Sequence, residues 1–137
     1  MQYVNKVPIG ICGMPVPFQA AAAQALTTKE GWDFVASMKA EYKRRLDYVV
    51  KRMNEVPGVK CPYPEGTFYV FPNIQGVGMK SADFIAKLLA DEKVRGNAGS
   101  NYGPNGEGFA RFALVTPFER CVEFMDRFER FVKKNKV

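Results

Sequence analysis

A chain of 137 residues that is 47% hydrophobic and 25% charged holds one domain's worth of material and enough apolar residues for a core, which excludes a disordered chain. Its 20 basic and 14 acidic residues leave a net charge of +6, which permits a polyanion partner without requiring one. With no histidine, and with Cys12, Cys61 and Cys121 far apart and free of any CxxC motif, a zinc site of the usual ligand set is excluded.

Residues 1–18 carry Pro8, Pro15 and Pro17 with Gly10 and Gly13, a mixture that opposes regular helix and predicts an extended, looping approach. From Gln19, the run Ala20, Ala21, Ala22 and Ala23 followed by Ala25 and Leu26 predicts a short helix whose small side chains can pack closely against a partner. Thr28 is placed to cap a second helix over 29–55, which continues through Gly31. Its residues Trp32, Val35, Met38, Tyr42, Leu46, Val49 and Met53 recur at spacings of three and four and read as one core-facing stripe. The other side carries Lys39, Glu41, Lys43, Arg44, Arg45, Asp47, Lys51 and Arg52, with Glu41 to Arg45 and Asp47 to Lys51 as i,i+4 pairs. Because acids interleave with the bases, a solvated face laced with ion pairs is favoured over a nucleic-acid surface.

Val56-Pro57-Gly58 ends that helix, and Thr67-Phe68-Tyr69-Val70-Phe71 reads as a strand, apolar on both faces and therefore interior to a sheet. After Gly76-Val77-Gly78, Ser81 stands as an N-cap before a helix that buries Phe84, Ile85, Leu88 and Leu89 and ends near Asp91. Five glycines follow between Val94 and Gly108, but without a Gly-Lys-Ser or Gly-Lys-Thr sequence, or a GxGxxG between strand and helix, they predict a tight loop rather than a phosphate cradle. Residues 109–115 alternate as a strand, with Phe109, Arg111, Ala113 and Val115 on one face and Ala110, Phe112 and Leu114 on the other. Arg111 thus shares a face with apolar residues, where its planar fork calls for an anion, either a local glutamate or the carboxylate of a ligand, unless it snorkels to water.

Thr116-Pro117-Phe118-Glu119 has the form of a capping box with proline at the first helical position. The last helix buries Cys121, Val122, Phe124, Met125, Phe128, Phe131 and Val132 and turns Glu123, Asp126, Arg127, Glu129 and Arg130 to water. Cys121 reads as a buried, inert thiol, since no histidine is present to activate it.

The order helix, long helix, strand, helix, strand, strand, helix predicts an α+β fold, a small sheet with helices packed on one face. The unpaired cysteines, the lack of a membrane-length apolar run and the lack of a signal-peptide pattern predict a soluble cytoplasmic protein with no membrane partner. No general base, metal cluster or activated nucleophile stands out, so if an enzyme is involved, much of its active site lies elsewhere.

Five segments carry a resemblance: Pro64-Glu65-Gly66-Thr67-Phe68-Tyr69-Val70-Phe71-Pro72, Ser81-Ala82-Asp83-Phe84, Gly99-Ser100-Asn101-Tyr102-Gly103, Gly106-Glu107-Gly108 and Phe109-Ala110-Arg111-Phe112-Ala113. Together, and in this order, they resemble the C-terminal part of class I/II, fold type I, pyridoxal-phosphate-dependent aminotransferases of the aspartate aminotransferase kind. Pro15-Val16-Pro17-Phe18-Gln19-Ala20-Ala21 is similar to the segment that leads from the large domain to the small domain there. The pattern departs from the family at Gly96-Asn97-Ala98, where a proline usually precedes the Gly99-Ser100 turn.

The resemblance implies that Arg111 binds the α-carboxylate of an amino-acid or 2-oxo-acid substrate. It implies pyridoxal 5'-phosphate as the cofactor of the complete enzyme, held through a Schiff-base lysine of a large domain; none of this chain's lysines sits in the matching motif, so no cofactor is expected on this chain alone. Residues 1–27 are then a lead-in segment and short helix from that large domain, and 28–137 the small C-terminal domain. The partners implied are the two substrates, the large domain of the same enzyme and a second subunit in a homodimer, with no nucleic acid. The alternative reading is a non-catalytic α+β interaction domain that binds polyanions through the face from Lys39 to Arg52.

Overall fold

Small side chains and a tight corner set the first described elements. In the computed structural model, which describes residues 15–136, α1 spans Val16–Thr27 and so starts before the alanine run. The expected extended approach therefore gives way to helix at 16–18, with Pro17 in the first turn, where its missing N–H would have no intrahelical partner in any case. The remainder of that approach, Cys12 included, lies outside the described residues. The second helix, α2, spans Lys29–Glu55 as predicted. Its cap is present: the Gly31 N–H donates to Thr28 Oγ1 at 3.3 Å. A side chain at position 31 would place Cβ 1.8 Å from the Ala25 carbonyl oxygen, so glycine is what lets α2 turn away from α1 this sharply.

The chain divides into two compact units, 1–39 and 40–137. In the first, Trp32 and Val35 are 59% and 49% exposed, so the leading part of the apolar stripe is not core. The cause is local: α1 is short and has no buried residue of its own, so among the described residues of this unit there is no core for them to join. Trp32 is nevertheless held, its Nε1–H donating to the Leu26 carbonyl at 3.1 Å. In the second unit the stripe does what its spacing predicts, with Leu46, Val49 and Met53 buried.

That second unit is built on three short strands, β1 at Tyr69–Val70, β2 at Asn97–Ala98 and β3 at Ala110–Ala113, and two further helices, α3 at Ser81–Glu92 and α4 at Phe118–Asn135. The strands form an antiparallel sheet in the order β1-β3-β2. Element order and α+β class agree with the sequence reading. Val70, Ala110, Phe112 and Leu114 join the buried side chains of the helices in one core, so one sheet face is covered and the other is left for Arg111. Aromatic rings fill that core: Phe128 lies 5.7 Å from Phe112, 5.8 Å from Phe124 and 5.9 Å from Phe84, centroid to centroid.

Several local expectations are corrected. The strand expected over 67–71 shrinks to two residues, with Thr67 in a left-handed backbone (φ 73°) at its expected start, and in the order β1-β3-β2 it lies at the sheet edge rather than inside it. Both its faces are apolar because Val70 enters the core while Tyr69 and Phe71 support the opposite face. Ser81 does not cap α3; it is the first helical residue and is fully buried. No capping box forms at α4, whose N-cap is Pro117; Thr116 Oγ1 instead lies 3.9 Å from Cys121 Sγ. On α2, Asp47 pairs with Lys43 at 2.7 Å, one turn back, rather than with Lys51, and Tyr63 donates its hydroxyl to the same carboxylate at 2.7 Å. The Glu41 to Arg45 pair forms as expected, at 2.9 Å. Among the described residues no helix is long and apolar enough to cross a membrane.

Candidate functional site

β3 is the central strand, and its alternation decides what each side chain can do. Ala110 and Phe112 turn into the core, which leaves Arg111 on the uncovered face, opposite Asn97 of β2 and diagonal to Tyr69 of β1. The Arg111 guanidinium carbon stands 3.5 Å from the centroid of the Tyr69 ring and 5.0 Å from that of Tyr102. Its Nη1–H donates to the Tyr102 hydroxyl oxygen. Phe71 and Phe109 stack beside this group, with centroids 5.4 Å apart and rings inclined by 14°.

A guanidinium on an apolar face was expected to find an anion. Among the described residues Arg111 has no carboxylate partner, whereas Arg45, Arg52, Arg127 and Arg130 each have at least one. Two aromatic faces supply the attraction instead, since a cation above a π face is stabilised without being neutralised. The result is a fixed, half-buried cation whose Nε and Nη2 donors have no acceptor among the described residues, which is the geometry a planar carboxylate needs.

Tyr102 is delivered by the glycine-rich loop. β2 is followed by two short 3-10 turns, Gly99–Tyr102 and Pro104–Gly106, which lie back to back. A Cβ at Gly106 would fall 2.0 Å from the Gly99 carbonyl oxygen, and one at Gly99 would fall 2.2 Å from that of Gly106. The glycines therefore bring backbone against backbone, the tight loop that the sequence predicts. Gly106→Ala is expected to lower the stability of the chain by about 1–3 kcal/mol, the usual cost of overpacking, read as a drop in the urea midpoint; an unchanged midpoint would show that the loop yields freely.

The loop is anchored to α3 through Ser81. The Gly108 N–H donates to Ser81 Oγ at 2.8 Å, and the Ser81 N–H donates to Glu107 Oε1 at 2.9 Å. The Glu107 carboxylate thus does for the start of α3 what a capping side chain would do. That bond holds the Glu107 carboxyl below the ordinary glutamate range. A depressed folded-state value means stabilisation that is present above the unfolded-state value and lost as pH falls through the folded one. Glu107→Gln is therefore expected to flatten the acid limb of a stability-against-pH curve; an acid limb identical to that of the parent protein would count against it.

Other sequence candidates sit apart from Arg111. Burial pushes the Cys61 thiol up to about 11 and raises Cys121 as well, which fits unreactive thiols. On the basic side of α2, Arg44 and Arg45 share Glu41, and Arg52 binds Asp126 and Glu129 of α4. A pocket of about 230 Å³ lies between β3 and α4, and its Arg120 and Arg127 are both engaged by Glu123. Among the described residues no group of three or more potential ligands could hold a metal ion. Sequence reasoning missed Tyr69 and Tyr102 as members of the site. For Tyr69 the signal was available, since it shares a strand face with Phe71 beside β3; Tyr102 stands in a 3-10 turn that no periodicity marks.

The family described as aminotransferase class I and II matches residues 1–128. An aspartate aminotransferase of Pyrococcus horikoshii is 42% identical over 118 residues, which cover 86% of this chain and 30% of that protein. An aromatic-amino-acid aminotransferase of Thermococcus litoralis is 40% identical over 124 residues, covering 90% of this chain and 32% of that one. The crystal structure of an aromatic aminotransferase from Pyrococcus horikoshii superposes with a TM-score of 0.82 at 40% identity, over 86% of this chain and 31% of its own. The chain thus spans about a third of the length of these relatives.

Proposed function

The chain belongs to the class I and II aminotransferases, and from that premise we propose that it is the small, C-terminal part of an enzyme that moves an amino group between an amino acid and a 2-oxo acid. In this reading residues 28–137 are the small domain, 1–27 lead in from a large domain, and the complete protein is a homodimer. Arg111 anchors the substrate's α-carboxylate. The observation that supports this most is the guanidinium itself, held against Tyr69 at 3.5 Å with no carboxylate of the described chain paired to it.

Complete enzymes of this family use pyridoxal 5'-phosphate to take up and release the amino group. The described residues around Arg111 do not fit that group. The face that carries Arg111 is formed by Tyr69, Phe71, Asn97, Phe109 and Ala113, with no lysine among them to bind its aldehyde, and the glycine loop closes on its own backbone rather than opening a phosphate cradle. In this reading the cofactor's lysine and phosphate site belong to the rest of the protein. What this chain does is bind and orient: a planar cation fixes a planar carboxylate through parallel hydrogen bonds, which sets the direction of the substrate's α-carbon.

The test is the intact protein. Its reading frame is expected to continue upstream through a large domain that supplies the cofactor lysine. A native product whose intact mass is that of the 137 residues alone, 15.4 kDa, would overturn the assignment to a working aminotransferase.

A further inference from the structure

We propose that Tyr102 is a second carboxylate-binding residue, forming with Arg111 a two-donor clamp on the substrate's α-carboxylate; the inference rests on the anchor role given to Arg111. A tyrosine hydroxyl has one proton to donate and lone pairs to accept with. Arg111 Nη1–H fills the acceptor role, so the Tyr102 proton is left to donate, and among the described residues no acceptor takes it. Tyr102 is 50% exposed and its oxygen is bonded to Nη1, so an anion oxygen that accepts from the neighbouring Nη2 on that side comes within reach of the phenolic O–H. The bond from a cationic donor also polarises the hydroxyl and makes it a better donor.

The fold gives this hydroxyl a fixed position. Tyr102 closes the Gly99–Tyr102 turn, whose start is pinned by the Gly99 N–H to Phe109 carbonyl bond at 2.8 Å. Its ring meets Phe71 edge to face at 6.0 Å. The anion it serves is a monocarboxylate, common to amino donors and 2-oxo acceptors, so the clamp acts on both halves of the reaction alike.

Tyr102→Phe, made in the complete enzyme that carries this segment, removes the hydroxyl and keeps the ring contact with Phe71. KM for the amino donor and for the 2-oxo acceptor, and the inhibition constant of propionate, are expected to rise together by about tenfold, the worth of one hydrogen bond to a charged group, with kcat changed less than about twofold. Unchanged KM and inhibition constants would overturn the clamp, as would a fall in kcat alone. Arg111→Ala run in parallel separates the two ideas. If it weakens carboxylate binding while Tyr102→Phe does not, the clamp is wrong and the anchor stands; if neither variant weakens it, the anchor itself is wrong.

Discussion

Replacing Arg111 by alanine in the complete aminotransferase proposed for this segment is expected to lower kcat/KM for amino acid and 2-oxo acid by about thirtyfold to several thousandfold. That range corresponds to about 2–5 kcal/mol, the cost of truncating one partner of a hydrogen-bonded charge pair. The loss should be large because the anion's partner is not shared: Arg111 is held by Tyr69 and Tyr102, and no carboxylate of the described chain competes for its fork. Cofactor content should be unaffected, since nothing on this face suits that group. Arg111→Lys should recover only part of the loss, because an ammonium keeps the charge but cannot form two parallel, coplanar bonds or stack flat on Tyr69. Unchanged kinetics in the alanine variant would remove Arg111 from the site.

The largest effect on stability is expected at Phe128. It is fully buried on α4, with Phe84, Phe112 and Phe124 around it, and so joins α3, β3 and α4 through one ring. Phe128→Ala removes that ring and leaves a cavity among side chains that are themselves fixed, for which about 3–5 kcal/mol is the usual cost. Urea unfolding followed by fluorescence should show the midpoint fall with little change in slope. A loss below about 1 kcal/mol would mean that the neighbouring rings collapse into the space. Because Phe112 directly follows Arg111 on β3, this core also sets how firmly the site is held.

The sequence makes the long elements plain. α2 and α4 repeat their apolar residues over several turns, and β3 alternates strictly, so the core face and the opposite placement of Arg111 both follow from spacing. Spacing fails where a side chain finds a partner far along the chain. Ser81 looks like a cap because serine usually serves its own helix, yet Glu107 and Gly108 claim it from 26 and 27 residues away. Trp32 and Val35 fit the stripe by period, but period says nothing about whether anything lies opposite. The same limit hid the cation's true support. That Arg111 needed a companion was legible from its apolar face; that the companions would be two tyrosine rings rather than an acid depended on a turn whose course is set by Gly99 and Gly106 meeting backbone to backbone.

The most direct measurement compares two inhibitors of the complete enzyme, propionate and n-propylamine, which share a carbon skeleton and differ in whether they offer a carboxylate. If Arg111 is the carboxylate anchor, Arg111→Ala raises the inhibition constant of propionate by about thirtyfold or more and leaves that of the amine within about threefold. Equal changes for both would show that Arg111 only supports the shape of the site, and no change for propionate would contradict the account outright.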